Sequence, residues 1–363
     1  MDLPLRPPVR PVVSIVVPAR NEEACLGLCL ESLTTQTGMP FEIIVVNDGS
    51  TDRTGRVAES FSGVQVVDPG SLPPNWTGKN YAMATGAGLA RGEWLLFTDA
   101  DTVHKPGSLA RAVSEAQRQA AALLSYSPEQ EVRGSWEKAV MPVIFAELAA
   151  AYRPSEVNDP ASPAAAANGQ YILISREAYD AVGGHATVHA SLLEDVALAR
   201  EVKASGRKIL FRYGADAVRT RMYRSFSQLR EGWTKNLALL FPSSLTLAAL
   251  RFAEFVLIVG SIVVAGMLAI RGDLFPAALP AGTALLTYFR FLTRIRRAHF
   301  SWRANVLSIF GLPLFSYLLL SSWLRYRAGN VVWKGRAYDP SPNHVGTAAP
   351  GCPVEHSSAT SYS

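Results

Sequence analysis

Hydrophobic positions divide the chain into two parts with different patterns. Between residues 12 and 98, short runs rich in β-branched residues alternate with segments of helical periodicity. Continuous apolar runs of this length are typical of strands that are buried on both faces of a sheet. We therefore predict four strands, at residues 12–17, 41–46, 64–67 and 93–98.

Helices are predicted between these strands. The first is expected to begin at Asn21 as its N-cap and to end near Thr34, because Glu22 and Glu23 would then complement the dipole of its first turn. Two more are predicted at residues 52–61 and 79–90. This alternation predicts an α/β fold with a mainly parallel sheet and helices on both faces. For the less regular segment that follows, we predict helices at 136–152, 194–205 and 225–237 and strands at 170–174 and 208–212.

Residues 237–324 are dominated by Leu, Ala, Phe, Val and Ile. Three stretches, 252–270, 275–292 and 305–324, approach the roughly 20 residues that cross a bilayer. Residues 236–250 are also apolar but shorter and contain Pro242, so this segment is expected to lie in the interface, to re-enter, or to join a fourth span. We predict a disordered segment 1–11, a soluble domain 12–235, a membrane region 236–324 of three to four segments, and a tail 325–363, disordered from about 339.

Charge and cysteine content restrict the class of protein. The 363 residues carry a formal net charge of +5, and much of the excess flanks the apolar segments. Basic residues in such places are expected to face anionic lipid on the cytosolic side, so we predict no nucleic-acid partner. The N-terminus lacks the apolar run of a signal peptide. We expect a multi-pass protein of the cell (inner) membrane, with its soluble domain in the cytoplasm and with Cys25 and Cys29 as small buried residues.

Acidic residues follow two of the predicted strands. Asp99 and Asp101 come directly after the fourth strand, and Asp48 follows the second. Ligands of parallel sheets bind beyond the carboxyl ends of the strands. Two carboxylates in one turn can bind Mg²⁺ or Mn²⁺, which in turn binds phosphate oxygens, and Asp48 could accept hydrogen bonds from a base or a ribose. Taken singly, each of these motifs could also be ordinary turn chemistry.

Two further motifs suggest catalytic chemistry. Glu194 and Asp195 precede an apolar helical pattern and offer a general base, or simply acids that complement a helix dipole. Lys79 lies at a predicted helix start, where a cation and backbone amides can together hold a diphosphate, although a surface lysine is the simpler interpretation. His104 and His185 show no partner by spacing and are expected to be structural.

These motifs, in this order, resemble the family 2 glycosyltransferases of the GT-A fold. The resemblance covers residues 12–238 and is carried by Ile15-Val-Val-Pro18-Ala-Arg-Asn21-Glu22, Val45-Val-Asn-Asp48-Gly-Ser-Thr-Asp52, Asp99-Ala-Asp101 and Glu194-Asp195. Further motifs are similar to those of the membrane-anchored hopanoid-associated and carotenoid-acid (diaponeurosporenoate-type) glycosyltransferases. These are Trp76-Thr-Gly-Lys79, Asn168-Gly-Gln170, Gly183-Gly-His185, Arg221-Met-Tyr-Arg224, Glu231-Gly-Trp233 and Trp333-Lys-Gly-Arg336.

The resemblance implies roles for individual residues. Four would line the site of the nucleotide base and ribose, namely Pro18, Arg20, Glu22 and Asp48. Lys79 would contact the donor, and Asp99 and Asp101 would hold the nucleotide-sugar and a Mg²⁺ or Mn²⁺ ion. Asp195 would be the general base, supported by Glu194. Acceptor contacts are expected from Asn168, Gln170, Gln228 and Trp233.

The expected reaction is a single inverting transfer from a nucleotide-sugar, a UDP-sugar in the first place, to a lipid-soluble isoprenoid acceptor. Processive relatives carry a Gln-x-x-Arg-Trp motif, whereas Gln228 here is followed by Leu229-Arg230-Glu231-Gly232-Trp233. That departure argues against polymer synthesis. Two other interpretations remain open at this point: a polyprenyl-phosphate sugar transferase, and a non-catalytic nucleotide-binding partner of a membrane complex.

Overall fold

The computed structural model describes residues 11–329, 331–333 and 336–338. The segments predicted to be disordered, 1–11 and 339–363, lie almost wholly outside these residues. Within the described part the strands are β1 (Val13–Ala19), β2 (Phe41–Asn47), β3 (Val64–Val67), β4 (Trp94–Phe97), β5 (Thr102–His104), β6 (Leu123–Ser127), β7 (Glu129–Gln130), β8 (Ile172–Ser175), β9 (Ile209–Tyr213), β10 (Val218–Thr220), β11 (Val331–Trp333) and β12 (Arg336–Tyr338).

The helices of the described part lie between and after these strands. They are α1 (Leu26–Thr34), α2 (Thr54–Glu59), α3 (Gly78–Leu89), α4 (Ser108–Arg118), α5 (Ser135–Ala151), α6 (Pro154–Val157), α7 (Arg176–Ala181), α8 (Gly184–Thr187), α9 (Glu194–Ala204), α10 (Phe226–Leu240), α11 (Ser244–Ile270), α12 (Leu274–Ile295), α13 (Trp302–Leu307) and α14 (Gly311–Arg327). Two short 3₁₀ helices, Arg296–Ala298 and Ser308–Phe310, join the last three.

A seven-stranded sheet organises the first part of the chain, in the order β3-β2-β1-β4-β8-β6-β9. The strand pairs β1–β2, β1–β4, β2–β3 and β6–β9 are parallel, and β8 runs antiparallel to both of its neighbours. The predicted α/β class with a mainly parallel sheet is therefore confirmed. Asp48 directly follows β2 and Asp99 lies two residues beyond the end of β4, at the same edge of the sheet.

Hydrophobic clusters cover both faces of this sheet, as the continuous apolar runs predicted. Ile15 and Val17 of β1 point into one cluster, together with residues of α1 and α4. Val16, between them, points into a second cluster with residues of α3 and α9. This alternation follows from the two-residue period of a strand.

The start of the first helix differs from the prediction. Helix α1 begins at Leu26, and its N-cap is Cys25 rather than Asn21. Asn21 adopts a left-handed backbone conformation, with φ of 54°, and its side-chain oxygen accepts a hydrogen bond from Thr51 N at 2.8 Å. Asn21 therefore joins two loops at the strand edge, a contact that asparagine tolerates in the left-handed region.

A second, small sheet was not predicted. It has the order β5-β10-β7 and brings residue Thr220 beside Thr102 and Gln130. Its strands have two or three residues each, which is too short for a hydrophobic period to be read from the sequence. This sheet supports the turn that contains Asp101, because Thr220 Oγ1 donates a hydrogen bond to Asp101 O at 3.1 Å.

The C-terminal helices carry large exposed apolar side chains. Two helical segments of the described chain, Ser244–Ile270 and Trp302–Arg327, are long and apolar enough to cross a membrane. Helix α12 is also exposed along much of its length, with Phe275 92% exposed. Helix α11 begins inside the segment 236–250, two residues after Pro242, a residue that cannot continue α10. These helices suggest an association with a membrane.

Helix α5 links the sheet domain to these C-terminal helices. Glu147 of α5 accepts ion pairs from Arg251 Nε at 2.9 Å and from Arg294 Nε at 3.3 Å, and both arginines also pair with Glu254. Nearer the start of α5, Gly311 approaches this helix so tightly that a Cβ there would overlap the carbonyl oxygen of Ala139. The two parts of the protein are therefore joined by charge pairs and by direct backbone contact.

Candidate active site

Asp48 lies at the carboxyl end of β2, where its side chain is almost fully buried. Arg20, which follows β1, donates through Nη1 to Asp48 O at 2.7 Å and so fixes the backbone of this turn. Pro18 lies near the end of β1, and Glu22 N donates to Thr54 Oγ1 at 2.8 Å. The four residues predicted for the nucleotide base and ribose thus lie at or just beyond the carboxyl ends of β1 and β2, at one edge of the sheet.

Helix α3 positions Lys79 at the same edge. Thr77 is its N-cap, and Thr77 Oγ1 accepts a hydrogen bond from Asn80 N at 3.2 Å. Asn80 is fully buried, and its Nδ2 donates to the carbonyl oxygens of Val188, His189 and Ser191 at 2.8–3.0 Å. Because this loop leads into α9, Asn80 holds the start of α3 against the segment that carries Glu194 and Asp195.

Lys79 joins two of the predicted acidic motifs. Its Nζ lies 2.8 Å from Asp99 Oδ1 and 2.7 Å from Glu194 Oε1. Burial disfavours the lysine's charge, but the two carboxylates outweigh it and hold the pKa of Lys79 well above its usual value. Lys79 also helps to keep the pKa of Glu194 low despite its burial. Lysine and glutamate therefore remain charged at neutral pH.

Asp195 lies beside this pair and has a different electrostatic environment. Its carboxylate accepts hydrogen bonds from Gly169 N and Val196 N, each at 2.8 Å. Burial, together with the neighbouring charge of Glu194, raises the pKa of Asp195 to about 6. A carboxylate with such a pKa is ionised at neutral pH yet accepts a proton more readily than an ordinary aspartate, which is the property that a general base needs.

Asp99 and Asp101 fit a divalent cation by the chemistry of their oxygens. Within the part of the chain that the structure describes, no group of three or more His, Cys, Asp and Glu side chains is arranged as a metal site. Magnesium, however, is commonly held by one or two carboxylates together with substrate phosphates.

Below this turn lies Cys29, which is buried as expected, whereas Cys25 is partly exposed.

The residues predicted for the acceptor lie in two separate places. Asn168 and Gln170 border Gly169, and therefore Asp195, in the turn before β8, where Asn168 Oδ1 accepts from Gln170 N at 3.0 Å. Gln228 is exposed at the start of α10, and its Oε1 accepts from Arg224 N at 2.9 Å. Trp233 is buried against Phe145 and Tyr223 in the cluster beneath α10. The roles of all four residues as acceptor contacts stay predictions.

Several residues of the site were not singled out from the sequence. Lys235 of α10 is half-buried and lies close enough to Glu194 to lower the pKa of that carboxyl. Gly169 is the close neighbour of both Lys79 and Asp195, and Asn80 ties α3 to the loop before α9. None of these contacts has a sequence signal, because they join segments that are far apart in the chain.

His104 and His185, for which a structural role was predicted, are both buried and lie beside hydroxyl partners. His104 Nε2 is within hydrogen-bond distance of Thr98 Oγ1, at 3.0 Å, and His185 Nδ1 of Tyr179 OH, at 2.9 Å. Burial lowers the pKa of each imidazole to about 3, so both are neutral at physiological pH.

Comparisons with known proteins show the family to which the chain belongs. The family model described as glycosyl transferase family 2 matches residues 14–183. A 4,4'-diaponeurosporenoate glycosyltransferase of Staphylococcus aureus (strain bovine RF122 / ET3-1) is 30% identical over 345 residues, which cover 91% of this chain and 88% of the relative. The chain belongs to glycosyl transferase family 2. It is a glycosyltransferase, and the predicted resemblance is confirmed.

A solved structure supports the fold assignment. The mannosyltransferase PcManGT from Pyrobaculum calidifontis, in complex with GDP-Man and Mn²⁺, superposes with a TM-score of 0.50 and 17% identity, covering 87% of each chain. At this identity the likeness concerns the fold alone. This family 2 enzyme therefore has the GT-A-like fold expected from its motifs, followed by the C-terminal helices.

Proposed function

We propose that this glycosyltransferase moves one sugar from a nucleotide-sugar, a UDP-sugar in the first place, to a lipid-soluble isoprenoid acid at a membrane surface. The observation that carries the proposal is the convergence of Lys79, Asp99, Glu194 and Asp195 at the edge of the sheet that also holds Asp48. Three distant segments supply these charges, as a donor site with an adjacent base requires.

The acceptor class rests on the relative and on the C-terminal helices. The Staphylococcus aureus relative is named for diaponeurosporenoate, a carotenoid acid, and the match covers most of the length of both chains. A carotenoid acid dissolves in a bilayer, and α10 connects the helix bundle directly to the neighbourhood of Glu194. Hopanoids are the second acceptor of the same solubility class. We place the protein in the inner membrane, with its catalytic domain on the cytoplasmic side.

The donor would occupy the edge between Asp48 and Lys79. We assign the nucleoside to Asp48 with Pro18, Arg20 and Glu22, and the diphosphate to the start of α3 with Lys79. A Mg²⁺ or Mn²⁺ ion held by Asp99 and Asp101 would supply positive charge to the departing diphosphate. The complex of the mannosyltransferase with GDP-Man and Mn²⁺ is compatible with such a donor and ion.

Transfer then proceeds as one displacement at the anomeric carbon. An acceptor oxygen forms the new bond while the bond to the diphosphate oxygen breaks, and its electron pair leaves with the nucleoside diphosphate, so the anomeric centre inverts. Lys79 stays protonated and stabilises the negative charge of the leaving group. Asp195 receives the proton of a hydroxyl acceptor, whereas a carboxylate acceptor brings no proton, and Asp195 then matters less as a base.

A panel assay tests this proposal. The detergent-solubilised protein is incubated with UDP- and GDP-sugars carrying labelled hexoses, with Mn²⁺, and with a carotenoid acid, a hopanoid alcohol or a polyprenyl phosphate. We expect one labelled sugar per acceptor, formed with the carotenoid acid as a glycosyl ester and identified by mass spectrometry. Product on the polyprenyl phosphate alone would replace the proposed acceptor by the alternative one. No product from any combination would contradict the proposal.

A further inference from the structure

The end of the described chain returns to the nucleotide edge of the sheet. Strands β11 and β12 form a hairpin, which we call the C-terminal hairpin. Arg336, its first β12 residue, forms a two-pronged ion pair with Asp48: Nη1 is 2.5 Å from Oδ2 and Nη2 is 2.9 Å from Oδ1. Asp48 is 6% exposed, so this contact is nearly sealed from water.

The guanidinium lies between the two proposed halves of the donor site. A Cβ added to Gly78 would overlap both Arg336 Nη1 and Asp48 Oδ2, so the absence of a side chain at the start of α3 lets the guanidinium reach Asp48. Lys79 is the next residue, and the helix start carries partial positive charge. Arg336, Lys79 and the start of α3 thus place positive groups side by side among the acidic residues of this edge, where a diphosphate could exchange for the carboxylates that now pair with them.

The other end of the hairpin is anchored to the helix bundle. Val331 is 2% exposed, and β11 packs against α10, the helix that also carries Lys235. The hairpin therefore connects α10 with the donor edge. Arg336 occupies both oxygens of Asp48, the same oxygens that a base or ribose would need as hydrogen-bond acceptors.

We propose that Arg336 is a donor-binding residue that is held on Asp48 until the nucleotide-sugar arrives, and that it then transfers its guanidinium from Asp48 to the diphosphate. The nucleoside takes the place of the guanidinium at Asp48, and the C-terminal hairpin stays over the bound donor. The buried carboxylate is thus paired in both states, first by Arg336 and then by the nucleoside. Guanidinium groups suit this exchange because their planar N–H groups can donate two parallel hydrogen bonds to a carboxylate or to a phosphate.

This inference rests on the proposed donor site and makes a distinctive prediction about ligands with and without phosphates. Removing the guanidinium frees Asp48 for a nucleoside but deprives the diphosphate of a cation. Arg336→Ala should therefore bind UDP about tenfold or more weakly and bind uridine as well as, or more tightly than, the unaltered protein. If Arg336 only supported the fold, its removal would weaken the binding of UDP and uridine alike. If Arg336 only blocked the site, its removal would strengthen the binding of both.

The experiment is isothermal titration of the full chain in detergent with UDP and uridine, and with GDP and guanosine, in the presence of Mn²⁺. Arg327→Ala, which removes an exposed arginine at the end of α14, is the matched control and should change neither affinity. Arg336→Lys keeps the charge but loses the two parallel N–H donors of the guanidinium, so its affinity for the diphosphate should fall less than that of Arg336→Ala. It provides the test if Arg336→Ala does not fold.

Weaker binding of the diphosphate with nucleoside binding retained would support the exchange. Parallel loss of both affinities, or a parallel gain, would overturn it while leaving the proposed function intact. If the unaltered protein binds neither UDP nor GDP, the proposed donor site itself is wrong and the exchange falls with it.

Discussion

Lys79 Nζ lies 2.7 Å from Glu194 Oε1, and this contact joins the start of α3 to the start of α9. The same ammonium group pairs with Asp99 and lowers the pKa of Asp195. One lysine therefore lies between acidic residues of two motifs and lowers the pKa of both Glu194 and Asp195.

Replacing this lysine should alter both the rate and the pH dependence of transfer. In Lys79→Met the pKa of Asp195 loses an influence that lowers it, so the fall in rate on the acid side should move to a higher pH. We expect kcat to fall by about 10²-fold or more, as for lost transition-state stabilisers. The measurement is the pH–rate profile with a hydroxyl acceptor and saturating donor.

Lys105→Met provides the control for Lys79→Met, because Lys105 pairs with Glu129 on the surface. Its profile should match that of the unaltered enzyme. An unchanged acid limb in Lys79→Met would show that Lys79 does not act on Asp195.

Asp195→Asn should separate binding from chemistry. Its carboxylate titrates with a pKa of about 6, so with a hydroxyl acceptor the rate of the unaltered enzyme should fall as the pH drops through about 6. The amide cannot take the proton, and we expect about 10²–10⁴-fold slower transfer with little change in donor affinity. Assays of the transfer rate and titrations with UDP measure the effects on rate and on donor affinity separately. Asp180→Asn, at an exposed helix position, is the control.

An equal loss of donor affinity and rate in Asp195→Asn would indicate a structural residue. With a carboxylate acceptor the loss of rate should be smaller than with an alcohol. The comparison thus also reports on the chemical class of the acceptor.

Substitution of Gly311 tests the junction between the sheet domain and the C-terminal helices. In Gly311→Ala the new Cβ would overlap the carbonyl oxygen of Ala139, so one helix must move away from the other. Overpacking of this kind costs about 1–3 kcal/mol, measurable as a lower Tm in detergent. Gly260→Ala meets no atom within 4 Å and should instead gain about 0.5–1 kcal/mol from helix propensity. A Tm for Gly311→Ala at or above that of Gly260→Ala would contradict the tight crossing.

The parallel half of the fold was predictable because its strands are buried on both faces. Such strands read as unbroken apolar runs, and β1 and β2 were found within two residues at each end. The strands of two or three residues that support Asp101 have no period to detect. Asn21 was misplaced because a helix cap and a left-handed loop residue use the same side-chain chemistry.

The acidic residues of the site were predictable because they follow strands or begin a helix. The ion pairs that they form with lysine and arginine were not predictable. Lys79 meets Glu194 because Asn80 binds the loop before α9, and Arg336 meets Asp48 across most of the chain. Contacts of this kind depend on how the elements fold back on one another, which periodicity does not encode.

The transfer rate of the Asp101→Asn variant is the most direct test of the central claim, which is that one donor site lies at this edge of the sheet. The change keeps the size of the side chain and removes its charge from the proposed metal site. We predict a kcat lower by about 10²–10³-fold, corresponding to roughly 3–4 kcal/mol, with an unchanged Tm. A turnover near that of the unaltered enzyme, at the same donor and Mn²⁺ concentrations, would contradict the account.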